Sequence, residues 1–143
     1  MMTGHFDNGI LCVIVPEGWK LFYGIDSDGN KSPKKLHIYK GAETETDIYS
    51  KPGITVCFFE KNEIYISTKS FYDNVCDTAP LKFGNHIWYG YTCTSLGYPY
   101  TMLDANDGGA TLQVMILMSN GGQSISLEDE DVKIILESLK PSK

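Results

Sequence analysis

Two turn signals inside Phe83–Ser119 constrain this chain more than any other feature of it. Around them lie three runs with strand composition: His86–Thr94, Tyr98–Ala105 and Ala110–Ser119. Ser95-Leu96-Gly97 reads as a three-residue hairpin loop, with Gly97 supplying the left-handed conformation such a loop needs. Asn106-Asp107-Gly108-Gly109 carries the Asp-Gly pair that is a strong hairpin signal. Together they predict a three-stranded antiparallel meander, which places the chain in a sheet-based fold class.

The turns also predict a register. If Thr94 opposes Tyr98 and Ala105 opposes Ala110, strand alternation sorts the side chains onto two faces. One face collects Ile87, Tyr89, Tyr91, Cys93, Thr101, Leu103, Leu112, Val114 and Ile116, and reads as a core face. The other holds Trp88, Thr92, Tyr98, Tyr100, Met102, Gln113, Met115 and Leu117. That second set carries too much apolar area to stand bare: either a further layer covers it or it binds something. Trp88, Tyr98, Tyr100, Met102 and Met115 are therefore the candidate binding residues, with Trp88 and Tyr100 as anchors.

At 143 residues the chain fits one domain, 1–143, with room for a real core. All 12 basic residues are lysine and the net charge is −6. Without the arginine fork that reads phosphates and base edges, and without a basic stripe, nucleic acid is excluded as the expected partner. No apolar run reaches the roughly 20 residues of a membrane span. Met1-Met-Thr-Gly-His-Phe-Asp7 has no leader or lipidation pattern, so the expected compartment is the cytoplasm, the alternative being export with a leader already removed. Cys12, Cys57, Cys76 and Cys93 have neither CxxC pairing nor histidines at zinc spacing, so they read as free thiols and no metal or cofactor is implied.

Along the chain, Ile10–Val15 is an interior-type strand ended by Pro16, and Lys20–Ile25, Lys35–Tyr39 and Ile54–Phe59 read as further strands. Asp26, Asp28 and Asn30 have the spacing of the first calcium-loop ligands, but Lys31 stands where glycine is needed and His37 where a bidentate glutamate is needed. An Asp-Gly turn is the better reading. Gly41–Gly53 reads as an acidic loop, and Phe71, Tyr72 and Val75 suggest a short helix over Ser67–Val75. A final helix over Leu127–Leu139 presents Val132, Ile135, Leu136 and Leu139 on one stripe, with Ser126 as its cap and Asp129 three residues on.

No nucleophile elbow, phosphate loop, zinc helix or dinucleotide fingerprint is present. His5, His37 and His86 lie far apart and read as surface or strand histidines rather than as catalytic bases. The unusual content is aromatic, with nine tyrosines and two tryptophans. Those rings either fill a two-sided sheet or supply rigid contact area with polar tips.

The early strand ending in Pro16-Glu-Gly-Trp19, the hairpins Trp88–Ser119 and the closing Ile135-Leu-Glu-Ser-Leu139-Lys resemble the PsbP-like superfamily of small α/β/α sandwiches. That group spans photosystem-associated proteins, a Ran-binding nuclear-import factor and many bacterial proteins of unassigned role. The resemblance implies the fold, and a non-catalytic binding or accessory role, with no functional residue to transfer. The expectation is an α+β domain. It has a twisted antiparallel sheet of about five to seven strands, the C-terminal helix on one face, and a shorter helix or loop layer on the other. Its function is binding, with another protein as the candidate partner. The alternative is a small enzyme or small-molecule-binding protein with a pocket between sheet and helix.

Overall fold

The computed structural model describes residues 3–142, so the first two methionines of the leader reading and the last lysine lie outside it. In chain order the elements are β1 (Thr3–Asp7), β2 (Leu11–Pro16), β3 (Trp19–Ile25), β4 (Lys31–Lys40) and β5 (Gly53–Phe59). These are followed by β6 (Asp73–Asp77), β7 (Leu81–Phe83), β8 (His86–Ser95), β9 (Tyr98–Asp107) and β10 (Ala110–Leu117). The chain closes with β11 (Ser119–Asn120), β12 (Gln123–Ser124), helix α1 (Glu130–Ser138) and β13 (Lys140–Pro141). Single 3-10 turns occupy Glu45–Tyr49 and Lys69–Phe71.

The main sheet has eight strands, in the order β3-β4-β5-β10-β9-β8-β6, with β7 paired to β8 beyond the end of β6. Every pairing in it is antiparallel. This α+β arrangement, mostly antiparallel sheet with one C-terminal helix, is the expected class. The strand number exceeds five to seven because β6 and β7, too short to read as strands in sequence, run end to end along the outer edge of β8. The Ser67–Val75 helix does not form. Asn74 takes a left-handed φ of 55°, and Val75 belongs to β6. The second-face layer is accordingly made of 3-10 turns and irregular chain.

A separate three-stranded sheet, β1-β2-β13, joins the two ends of the chain and lies with α1 over one face of the main sheet. Between these layers sits the core, where Leu11, Leu36, Ile38, Ile54, Val56, Leu112, Val114 and Ile116 are fully buried. The predicted helix stripe is seated there: Val132, Ile135, Leu136 and Leu139 all have 0% exposure. The helix starts later than its capping pattern implied. Asp129 carboxylate accepts from the Ser126 N–H at 2.9 Å, but Asp129, not Ser126, occupies the cap position. Trp19 Nε1 donates to Asp131 at 2.9 Å and ties the start of β3 to the helix.

The hairpin register differs from the sequence expectation, and the difference moves a candidate residue. Ser95 opposes Tyr98, leaving Leu96 and Gly97 as a two-residue loop with φ of 52° and 85°. Positive φ at both central residues is the type I′ turn that suits twisted hairpins. A slip of one residue turns a whole strand over. Trp88 therefore faces the core with Leu103, Ala105 and Leu112, while Tyr89, Tyr91 and Cys93 face the other way. The second hairpin slips by two, Asp107 opposing Ala110 across Gly108-Gly109, so its faces stay as expected.

Candidate functional site

The face turned away from α1 carries the polar and aromatic chemistry of the sheet. Cross-strand pairing puts His37, Thr55, Met115, Met102 and Tyr91 in one row. Lys35, Cys57, Gln113, Asp104 and Tyr89 form the next. A third row runs Tyr39, Gly53, Leu117, Tyr100 and Cys93. Gly53 is required in it, because a Cβ there would stand 2.3 Å from the Tyr39 ring that lies across it. Of the sequence candidates, Tyr98, Tyr100, Met102 and Met115 do share this face. Trp88 does not, and with 0% exposure it is a core residue. Met102 is buried, Tyr100 and Met115 half-buried, and Tyr98 is 45% exposed at the hairpin tip.

Topology decides what covers this face. β5 is central and β6 lies at the far edge, so the chain between them, 60–72, has to cross β10, β9 and β8. It does so over the second face. Tyr65 packs on Phe59 at 5.2 Å and its hydroxyl donates to Asp104 Oδ2 at 3.2 Å. Burial and the neighbouring Asp104 charge push the Tyr65 phenol up, so it stays a protonated donor. Burial also raises the Asp104 carboxyl. Tyr72 lies 6.4 Å from Tyr91 and its hydroxyl hydrogen-bonds Thr68 at 2.8 Å. Tyrosines of the crossing thus point inward. Ile64, Ile66 and Phe71 point outward, with 80%, 74% and 81% exposure.

Beside Tyr91 the crossing leaves a shallow depression of about 340 Å³ whose lining includes Lys69, Asp77, Tyr89, Tyr91 and Asp104. Lys69 Nζ lies 2.5 Å from Asp77 Oδ1 and 5.4 Å from the centre of the Tyr91 ring. At the opposite end, the 3-10 turn Glu45–Tyr49 shelters a groove of about 240 Å³ lined by Phe22, Tyr23, His37, Ile48 and Tyr49, with Lys31 and Glu45 paired at its rim.

Burial raises the thiols of Cys57 and Cys93, the opposite of what a reactive thiolate needs. His37 Nδ1 hydrogen-bonds Thr55 Oγ1 at 2.9 Å, but that hydroxyl is buried and also lies 3.5 Å from the Tyr39 hydroxyl. A base–nucleophile pair needs an open hydroxyl, and the Thr55 hydroxyl, with 6% exposure of its residue, is not one. Burial, with Lys35 adding to it, lowers the His37 pKa to about 4, which leaves the imidazole neutral. His86 Nε2 does meet a carboxylate, Asp107 at 2.7 Å, on the other side of the sheet, where His86 is buried beside Trp88.

The remaining sequence candidates are structural. Asp26 Oδ1 accepts from the N–H groups of Asp28 and Asn30, both at 2.9 Å, and so closes its turn with the carboxylate the calcium reading required. Asp47 does the same for Glu43 and Thr44 in the acidic loop. All four cysteines are free thiols. No group of three or more His, Cys, Asp or Glu residues suited to a metal occurs among the described residues. No helix among them is long and apolar enough to cross a membrane.

Tyr65, Tyr72, Tyr89, Tyr91, Asp104 and His37 were not singled out as site residues by the sequence. The signal that places them is the β5-to-β6 crossing, which follows from strand order and from no local pattern. The geometry defines a one-helix, antiparallel-sheet α+β protein with a strapped aromatic face. No family model matches the chain, and neither a curated protein nor a solved structure matches it.

Proposed function

We propose that this protein is a non-catalytic binding domain whose contact surface is the second face at its β8–β9 end, together with the crossing at 60–72. The observation that carries this reading is the orientation of that crossing. Chain laid on a sheet normally turns its apolar side chains inward; here the inward groups are tyrosines, and Ile64, Ile66 and Phe71 face solvent. Several large apolar groups exposed on one short segment mark an interaction surface. The resemblance to PsbP-like proteins, whose members act mainly as binding or accessory proteins, points the same way. Hydrophobic side chains flanked by tyrosines favour another protein as the partner.

The test compares wild-type protein with the double variant Ile66→Ser, Phe71→Ser as immobilised bait, with bound proteins quantified against a blank support. Both side chains are mostly exposed, so the melting temperature should hold while a specifically bound protein is lost. An identical set of captured proteins on both baits would end the proposal. A small-molecule reading is favoured only by the groove at His37. Its walls, Phe22, Ile48 and Tyr49, suit a flat uncharged ligand, since His37 is neutral and the rim charges of Lys31 and Glu45 are paired.

A further inference from the structure

The depression beside Tyr91 already has a cation lying in it, and that cation belongs to the chain. Lys69 extends from the 3-10 turn Lys69–Phe71 and lays its ammonium over the Tyr91 ring at 5.4 Å, with Asp77 Oδ1 2.5 Å away. Tyr89 and Asp104 also line the depression, and Tyr72 stands behind Tyr91 at 6.4 Å, outside the lining. Aromatic faces next to carboxylates form the chemical environment that holds alkylammonium groups, the ring quadrupole and the anion acting together. We infer that this depression is a seat for the ammonium of a lysine-bearing segment of a partner protein, and that Lys69 is its resident occupant, displaced on binding. The inference rests on the binding-domain reading above and names the chemistry its partner presents.

Three further observations support exchange of one ammonium for another. The Lys69–Asp77 pair is exposed on both sides, 45% and 71%, and surface pairs of this kind are weakly held and easily broken. The chain carries a net charge of −6, so a cationic segment is drawn toward it while an acidic one is repelled. Phe71 and Ile66, exposed on the same crossing, offer apolar surface of the sort that the methylene stem of an incoming lysine covers. Asp77 and Lys69 hold nothing in the core, so both are open to substitution.

The experiment is a titration of the intact protein followed by amide resonances, reading Asp77, Gly90 and Tyr91. The probes are n-butylammonium, choline, and 3,3-dimethylbutan-1-ol, the uncharged isostere of choline. Both cations should shift the three amides with millimolar affinity, and the isostere should bind about tenfold more weakly. Lys69→Ala should tighten both cations about threefold by emptying the seat, and Asp77→Asn should weaken them by at least that factor. Unchanged resonances elsewhere establish that each variant is folded. Equal binding of the isostere, or a Lys69→Ala variant that binds no tighter than wild type, would overturn the inference. The two proposals fail separately. A seat that titrates as stated while capture is indifferent to Ile66→Ser, Phe71→Ser keeps the cation site and removes the wider docking surface, and the reverse pattern removes the seat alone.

Discussion

Replacing Leu96 by asparagine should make this protein more stable, although it changes a residue that packs against nothing. Leu96 is the first central residue of the β8–β9 turn, with φ of 52° and 94% exposure. For an L-residue with an ordinary side chain, the left-handed region costs about 1–2 kcal/mol because Cβ crowds the following carbonyl oxygen. Asparagine tolerates that region and Asn-Gly is the preferred type I′ pair. With the side chain already in water, almost no transfer energy is lost on substitution. Recovering about half of the backbone cost gives about 0.5–1 kcal/mol of added stability. For a chain of this length that raises the melting temperature by about 2–4 °C. Leu96→Ala is the control: it removes the same apolar group but lacks the short polar side chain that hydrogen-bonds locally in the left-handed region, so it should melt close to wild type. Two-state thermal and urea unfolding of the three proteins would read the difference. A Leu96→Asn variant no more stable than Leu96→Ala would show that the turn is not held left-handed at this position, and the hairpin register would fall with it.

Two other outcomes follow from the core and from the second face. Trp88→Ala and Leu136→Ala each remove a fully buried side chain, so they should cost about 3–5 and 2–5 kcal/mol in urea unfolding; a loss below about 1 kcal/mol for Trp88→Ala would return that ring to the surface. His37, with a folded pKa near 4 against an unfolded value of 6.5, binds fewer protons folded than unfolded between those values. Its contribution to stability is therefore present above the unfolded pKa and is lost as pH falls through that window. His37→Gln should flatten the dependence of unfolding free energy on pH between 6.5 and 4, and an unchanged slope would contradict the buried neutral imidazole.

Much of the scaffold is legible in the sequence, and the illegible part has a specific cause. Runs such as Ile54–Phe59 and the Val132, Ile135, Leu136, Leu139 stripe announce themselves because burial on one side imposes a period that composition records. The β8 face was misassigned through one residue. Leucine is a poor left-handed residue, so nothing at Leu96 marks it as half of a two-residue loop, and Ser95 reads as loop instead of strand. That single slip exchanges Trp88 with Tyr89 and Tyr91. The 67–75 segment misled in another way. Phe71 and Val75 have helical spacing, but one projects from a crossing and the other lies in an edge strand, so the spacing reflects no shared buried face. The candidate site depends on β5 being central and β6 peripheral, a long-range fact that no local window contains.

The small sheet has a consequence for how the domain is held in space. Thr3 opposes Pro16 and Pro141 opposes Leu11, so the two ends of the described chain lie on opposite edges of β2 and toward its opposite ends. Ser142 donates to Asp7 at 2.7 Å and ties the close of the chain to the inner end of β1. Both ends belong to the small sheet, on the helix side of the main sheet. A pull between its ends would load three short strands and the clasp they form before it reached the main sheet.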